Sequence, residues 1–235
     1  TGLISEDCAQ VCVFYLNTRY IFARIDAKAI SRSNVTMNYI AHIHLAKHTH
    51  TSLVGNFLGD FIKGNALDDL PLNLQHGIRL HRHIDVYTDS HPIVLALKRD
   101  FPKSIRRYAG IVLDVYFDHL LIQHWQKFSS PALGKNQLFS EFYQNLAQLD
   151  MDISPHFSQV RSGLLTHQWL ADYHELSACL RAMHAIENRF SRKLEFAEQA
   201  ITYITANEPQ LKQSFLHFYP DLLGHSELFV SKLER

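Results

Sequence analysis

The sequence predicts a single compact all-α domain, and three observations carry that prediction. Apolar residues recur at helical spacing from Met37 onward, first at Ile40, Ile43 and Leu45, then at Leu53, Phe57, Leu58, Phe61 and Ile62. No alternating run of β-branched residues bounded by hairpin dipeptides occurs. A chain of 235 residues, 46% of them hydrophobic, is long enough to bury one substantial core.

The elements follow in order. Residues 1–36 end in the small, polar run DAKAISRSNVT and read as an N-terminal extension, not native or poorly ordered, ahead of a domain over 37–235. Within that domain, helix breakers fall at KGNALDDLP (63–71), SHP (90–92), FSSPALGKN (128–136), MDISP (151–155) and NEP (207–209). They divide the chain into about seven helices joined by short loops. There is no repeat period and no low-complexity tract, which argues against a solenoid or a disordered scaffold.

Composition narrows the partners. Lys plus Arg and Asp plus Glu are equal at 23 each, so the molecule lacks the positive field that would favour nucleic acid or an anionic membrane. No window of about 18 apolar residues is present to span a bilayer. The three cysteines, Cys8, Cys12 and Cys179, form no disulfide framework, and a cytoplasmic protein is the expectation. Cys179 has His174 and His184 near it in sequence but no other sign of a nucleophile site.

Sixteen histidines are the outstanding feature of the composition. In GIRLHRHIDVYTDSH (77–91), His81, Asp85 and Asp89 lie four apart and share a helix face. Asp89 approaches the SHP break, where capping competes with ligation, and His83 points elsewhere, as an ordinary surface histidine would. Asp114 and Asp118 repeat the spacing on the apolar helix GIVLDVYFDHLLIQHW, with His119 directly after. A carboxylate carried into a core is costly unless it is paired or bound to a cation.

Asp60 sits among Phe57, Leu58, Phe61 and Ile62, while Gly55 and Gly59 admit a close helix neighbour, and His42 lies on the first strong helix with an inward-facing register. Asp and His donors without cysteine suit manganese, magnesium or iron better than a thiolate zinc site. Such an ion lowers the pKa of bound water and generates a nucleophile for hydrolysis. Signatures of a serine hydrolase elbow, a phosphate loop or a dinucleotide fold are absent.

The ordered blocks MNYIAHIHLA, SLVGNFLGDFIKGN, LHRHIDVYTD, LDVYFDHLLIQHW, QWLADY and FYP give the chain its likeness. From Met37 to about Pro220 it resembles the bacterial acyl carrier protein phosphodiesterase family. The resemblance implies an all-α fold related to the HD-domain phosphohydrolases and a divalent metal, Mn2+ first, with Mg2+ or Fe2+ as alternatives. It also implies hydrolysis of the phosphodiester between phosphopantetheine and a carrier-protein serine. One departure is plain: the only adjacent pair is the reversed Asp118-His119, not His-Asp.

The expected ligands are Asp60, His81, Asp85 and Asp118, with Asp114 ligating or orienting a ligand. His119 or His42 is expected as general acid and Arg82 as the phosphoryl contact. The basic run Lys98, Arg99, Lys103, Arg106 and Arg107 is either a solvated helix face or a dock for an acidic carrier protein. Two rivals remain open: a metal-dependent phosphohydrolase acting on a nucleotide or other small phosphodiester, and a non-catalytic carrier-binding or metal-storing helical protein.

Overall fold

The first helix of the described residues, α1 (Tyr39–His48), is buried at every residue from Tyr39 to Ala46. A helix buried all round has no face to offer water and must be surrounded by others, with its polar side chains paired inside. The same holds for α5 (Ala109–Gln123), where Phe117, Asp118, His119 and Leu120 are buried in succession. These two helices form the centre of a structure described by a computed structural model over residues 39–64, 67–188 and 195–233. The extension expected over 1–36 lies outside the described residues.

Around the centre run α2 (Leu53–Leu58), α3 (Leu72–Ser90), α4 (Pro92–Asp100), α6 (Trp125–Phe128), α7 (Lys135–Gln148), α8 (Pro155–His167), α9 (Leu176–Glu187) and α10 (Ala197–Leu233). Short 3-10 turns occupy Arg106–Tyr108 and Trp169–His174, and no strand is found among the described residues. The protein is all-α. The count of elements exceeds the expected seven because α6 and the 3-10 turns are too short to show a helical period in sequence, and the turn between α1 and α2 holds none of the expected breakers.

Most of the breakers end helices for identifiable reasons. Ser52 caps α2 by accepting from the Gly55 N–H at 2.9 Å, and Ser154 caps α8 through the Phe157 N–H at 3.1 Å, with Pro155 at the first helical position. His91 separates α3 from α4 and accepts from the Ile93 N–H at its Nδ1. NEP is the exception, since α10 continues through it with a kink at Asn207, where φ is −120° and ψ 16°. Pro209 removes a backbone donor there and bends the helix, while burial of Ile204, Leu211 and Phe215 on both sides keeps it joined.

The contact that positions the site is that of α2 on α3. A Cβ on Gly55 would stand 2.9 Å from Leu74 Cα, and one on Gly77 would stand 2.6 Å from the Asn56 amide nitrogen. The two backbones therefore touch, as Gly55 foretold, and α2 is pinned along one face of α3. Phe57, on α2, packs its ring against Tyr39, Phe61 and Phe142 at centroid distances of 5.1, 5.0 and 5.4 Å. Such aromatic pairs contribute about 0.5–1.5 kcal/mol each beyond area burial. The packing holds α1, α2 and α3 in one rigid corner.

Candidate metal centre

In that corner α1 supplies His42, α2 supplies Asn56, the turn after α2 supplies Asp60, and α3 supplies His81 and Asp85. His42 and His81 are each only 2% exposed. Their rings stack with centroids 4.1 Å apart and planes at 25°. His42 Nε2 lies 3.3 Å from Asp85 Oδ1, and His81 Nε2 lies 3.3 Å from Asp85 Oδ2 and 3.6 Å from Asp60 Oδ1. One donor atom from each of His42, His81 and Asp85 can be chosen so that all lie within 4.8 Å of one another.

The electrostatics are those of a carboxylate between two imidazoles. Burial works to raise the pKa of Asp85, yet the His42 and His81 rings beside it hold it well below the usual carboxylate range. Burial works to lower that of His42, but Asp85, Asp60 and Asn56 outweigh it and the net direction is up. On α5, Asp114 is pushed up to about 8, first by burial and then by the negative charge of Asp85. Asp89 and Asp60 add to the rise, while Lys98 opposes it.

A divalent cation fits this donor set. It offers two imidazoles and a carboxylate without thiolate, and the buried His42 Nε2 faces Asp85 Oδ1 at 3.3 Å, out of line for a good hydrogen bond. The i, i+4 pair His81 and Asp85 was legible from spacing alone. Asn56 was not singled out, although a lone amide in the apolar run LVGNFL was its signal.

The other expected site residues have different surroundings. Both oxygens of Asp118 accept backbone N–H groups at the start of α1, from Ile40 at 3.0 Å and Ala41 at 2.8 Å. Burial pushes its pKa well up and the two N–H donors draw it back. His119 points to the far side of α5, where its Nδ1 meets the Tyr173 carbonyl at 2.7 Å beside a cleft lined by Tyr116, Leu120 and Glu208. Five residues after Asp114, it is rotated about 140° around the helix axis. Arg82 donates to the Ile62 carbonyl at 2.9 Å and so ties the turn carrying Asp60 to α3.

Asp89 pairs with Lys98 at 2.7 Å instead of facing the cluster. His83 is half-buried, stacked on Phe229 at 3.9 Å and on His225 at 4.6 Å, because the end of α10 covers the face expected to be open. The Cys179 thiol is buried and pushed up to about 12 by that burial, which leaves no thiolate for nucleophilic attack near neutral pH. In the basic run, Arg106 donates to the Phe101 carbonyl and Arg107 lies over the Tyr108 ring at 4.6 Å, with both residues exposed.

Comparison with known proteins decides the family. The family model described as acyl carrier protein phosphodiesterase matches residues 37–222. The chain belongs to the acyl carrier protein phosphodiesterase family. It is 34% identical over 191 residues to the acyl carrier protein phosphodiesterase of Klebsiella pneumoniae (strain 342), covering 81% of this chain and 98% of that one. It is 33% identical over 190 residues to that of Salmonella agona (strain SL483), covering 81% and 97%.

No solved structure matches the chain, so the relation to HD-domain phosphohydrolases rests on the sequence resemblance alone. Four of the blocks that suggested the acyl carrier protein phosphodiesterase family carry His42, Asp60, His81 with Asp85, and Asp114. Among the described residues, no helix is long and apolar enough to cross a membrane.

Proposed function

We propose that this protein hydrolyses the phosphodiester joining 4′-phosphopantetheine to the serine of holo acyl carrier protein. The products are apo acyl carrier protein and 4′-phosphopantetheine, and the reaction takes place in the cytoplasm. The observation that carries the reading is the meeting of His42, His81 and Asp85 in a chain of this family. When bound, a divalent cation, Mn2+ before Mg2+ or Fe2+, supplies a Lewis acid at the phosphoryl group and lowers the pKa of water.

His42, His81 and Asp85 would hold the cation, with Asp60 at the edge of the set through its 3.6 Å approach to His81. Asp114, which feels the negative charge of Asp85 and Asp60, is assigned to orient a ligand of the set. Arg82 keeps Asp60 against the cluster through the Ile62 carbonyl, and Asp118 fixes the start of α1 and with it His42. His119, placed beyond α5, acts on neither the phosphorus nor the leaving oxygen.

Exposed Arg99, Lys103, Arg106 and Arg107 present a positive edge beyond Lys98, which is held by Asp89. This edge receives the acidic carrier protein and raises the rate of encounter. The test is mass spectrometry of holo acyl carrier protein after incubation with this protein and Mn2+, beside cyclic and linear nucleotides. Loss of the phosphopantetheine mass from the carrier alone supports the reading, and turnover of the nucleotides alone refutes it.

A further inference from the structure

His42 reaches the cluster through Nε2, and what its other nitrogen touches decides whether Nε2 is free to bind. His42 Nδ1 lies 2.9 Å from Asn56 Oδ1, and Asn56 is fully buried. An amide oxygen accepts and never donates, so the proton of this bond sits on His42 Nδ1. The lone pair of a neutral His42 is then on Nε2, facing Asp85. With the amide turned over, Nδ2 would donate to Nδ1 and force the imidazole proton onto Nε2, where it would compete with a cation for Asp85.

The backbone contact at Gly77 holds α2 at Asn56 against α3 and fixes the place from which the amide reaches. His81 has no such partner, since its Nδ1 is buried without a hydrogen bond. The chain therefore sets the tautomer of one of its two imidazoles.

We infer that Asn56 is a positioning residue, which keeps the Nδ1 proton on His42 and so presents Nε2 to a divalent cation. The inference rests on the metal-centre reading. Partners of this kind, which orient a ligand without touching the ion, typically change metal affinity by about 10–100-fold when removed.

Calorimetric titration with Mn2+ tests it on the full chain, comparing wild type, Asn56→Leu and Asn56→Asp. Leu removes the acceptor and is expected to weaken binding by about 10–100-fold. Asp keeps an oxygen acceptor for Nδ1–H and is expected to stay within about threefold of wild type. Wild-type affinity in Asn56→Leu overturns the inference, and so does Asn56→Asp binding as weakly as Leu, because loss of packing alone would produce that equality.

Nitrogen-15 shifts of the His42 ring in metal-free wild type give a second readout that needs no ion or variant. A proton on Nδ1 is expected, and an unprotonated Nδ1 accepting from the Asn56 amide overturns the inference. Failure of wild type to bind Mn2+ would refute the metal centre, while the tautomer would still decide the role of Asn56.

Discussion

The imidazole of His81 lies directly on the α-carbon of Gly59: a Cβ at that glycine would stand 2.2 Å from His81 Cγ. Gly59 has ordinary right-handed helical angles, φ −55° and ψ −30°, so its role is space and not conformational freedom. Gly59→Ala should push His81 off Asp85 and Asp60, destabilising the fold by about 1–3 kcal/mol. Mn2+ binding should fall with it. Denaturant unfolding and calorimetry check both effects, and unchanged values in Gly59→Ala would mean that His81 does not need its observed position.

Asp118 separates two readings of one carboxylate. With both oxygens on the Ile40 and Ala41 N–H groups, Asp118→Ala leaves two buried donors unpaired. The expected cost is about 1–3 kcal/mol for each donor left without a partner, measured by urea unfolding of the metal-free protein. Full metal-free stability with lost Mn2+ binding would instead make Asp118 a ligand.

Three shifts at and beside the cluster contribute to the pH dependence of stability without metal. His42, raised, contributes stability that is fully present below its unfolded value of about 6.5 and lost as pH rises through the folded value. Asp85, depressed, contributes stability present above about 3.9 and lost as pH falls. Asp114, raised to about 8, opposes folding progressively as pH climbs from about 3.9 toward that value.

The metal-free Tm should therefore decline between about pH 6.5 and 8, where the loss of the His42 contribution and the opposition of Asp114 act together. Asp114→Asn should flatten the decline. Mn2+ should reverse it, because ligand nitrogens must lose their protons to bind. A metal-free Tm that rises from pH 6 to 8 would contradict these assignments.

Reversal of Arg106 and Arg107 to Glu addresses the basic edge. Both guanidinium groups are anchored, Arg106 by the Phe101 carbonyl and Arg107 by the Tyr108 ring, while the residues stay exposed. KM for holo carrier protein should rise on the order of tenfold and lose its salt dependence, with kcat little changed. Unchanged kinetics would return these residues to a solvated face.

The all-α class was legible because apolar residues recur at helical spacing from α1 and α2 onward, whereas α6, at 4 residues, carries too few positions to declare a period. His81 and Asp85 were legible because one helix turn brings them together. His42 depended on α1 meeting α3, which a local spacing does not encode. Asp114, Asp118 and His119 read alike as polar intrusions into an apolar helix, and tertiary contacts alone gave them separate surroundings. His83 was misread as open to water because its cover, Phe229 and His225, lies more than 140 positions further along the chain.

The most direct test of the account compares wild type with Asp85→Asn, each incubated with Mn2+ and holo acyl carrier protein and read by the mass of the carrier. Wild type should convert it to the apo form and release 4′-phosphopantetheine, while Asp85→Asn, with unchanged helical circular dichroism, should leave it holo. Conversion by both proteins at the same rate, or by neither, would contradict the assignment of this site to that reaction.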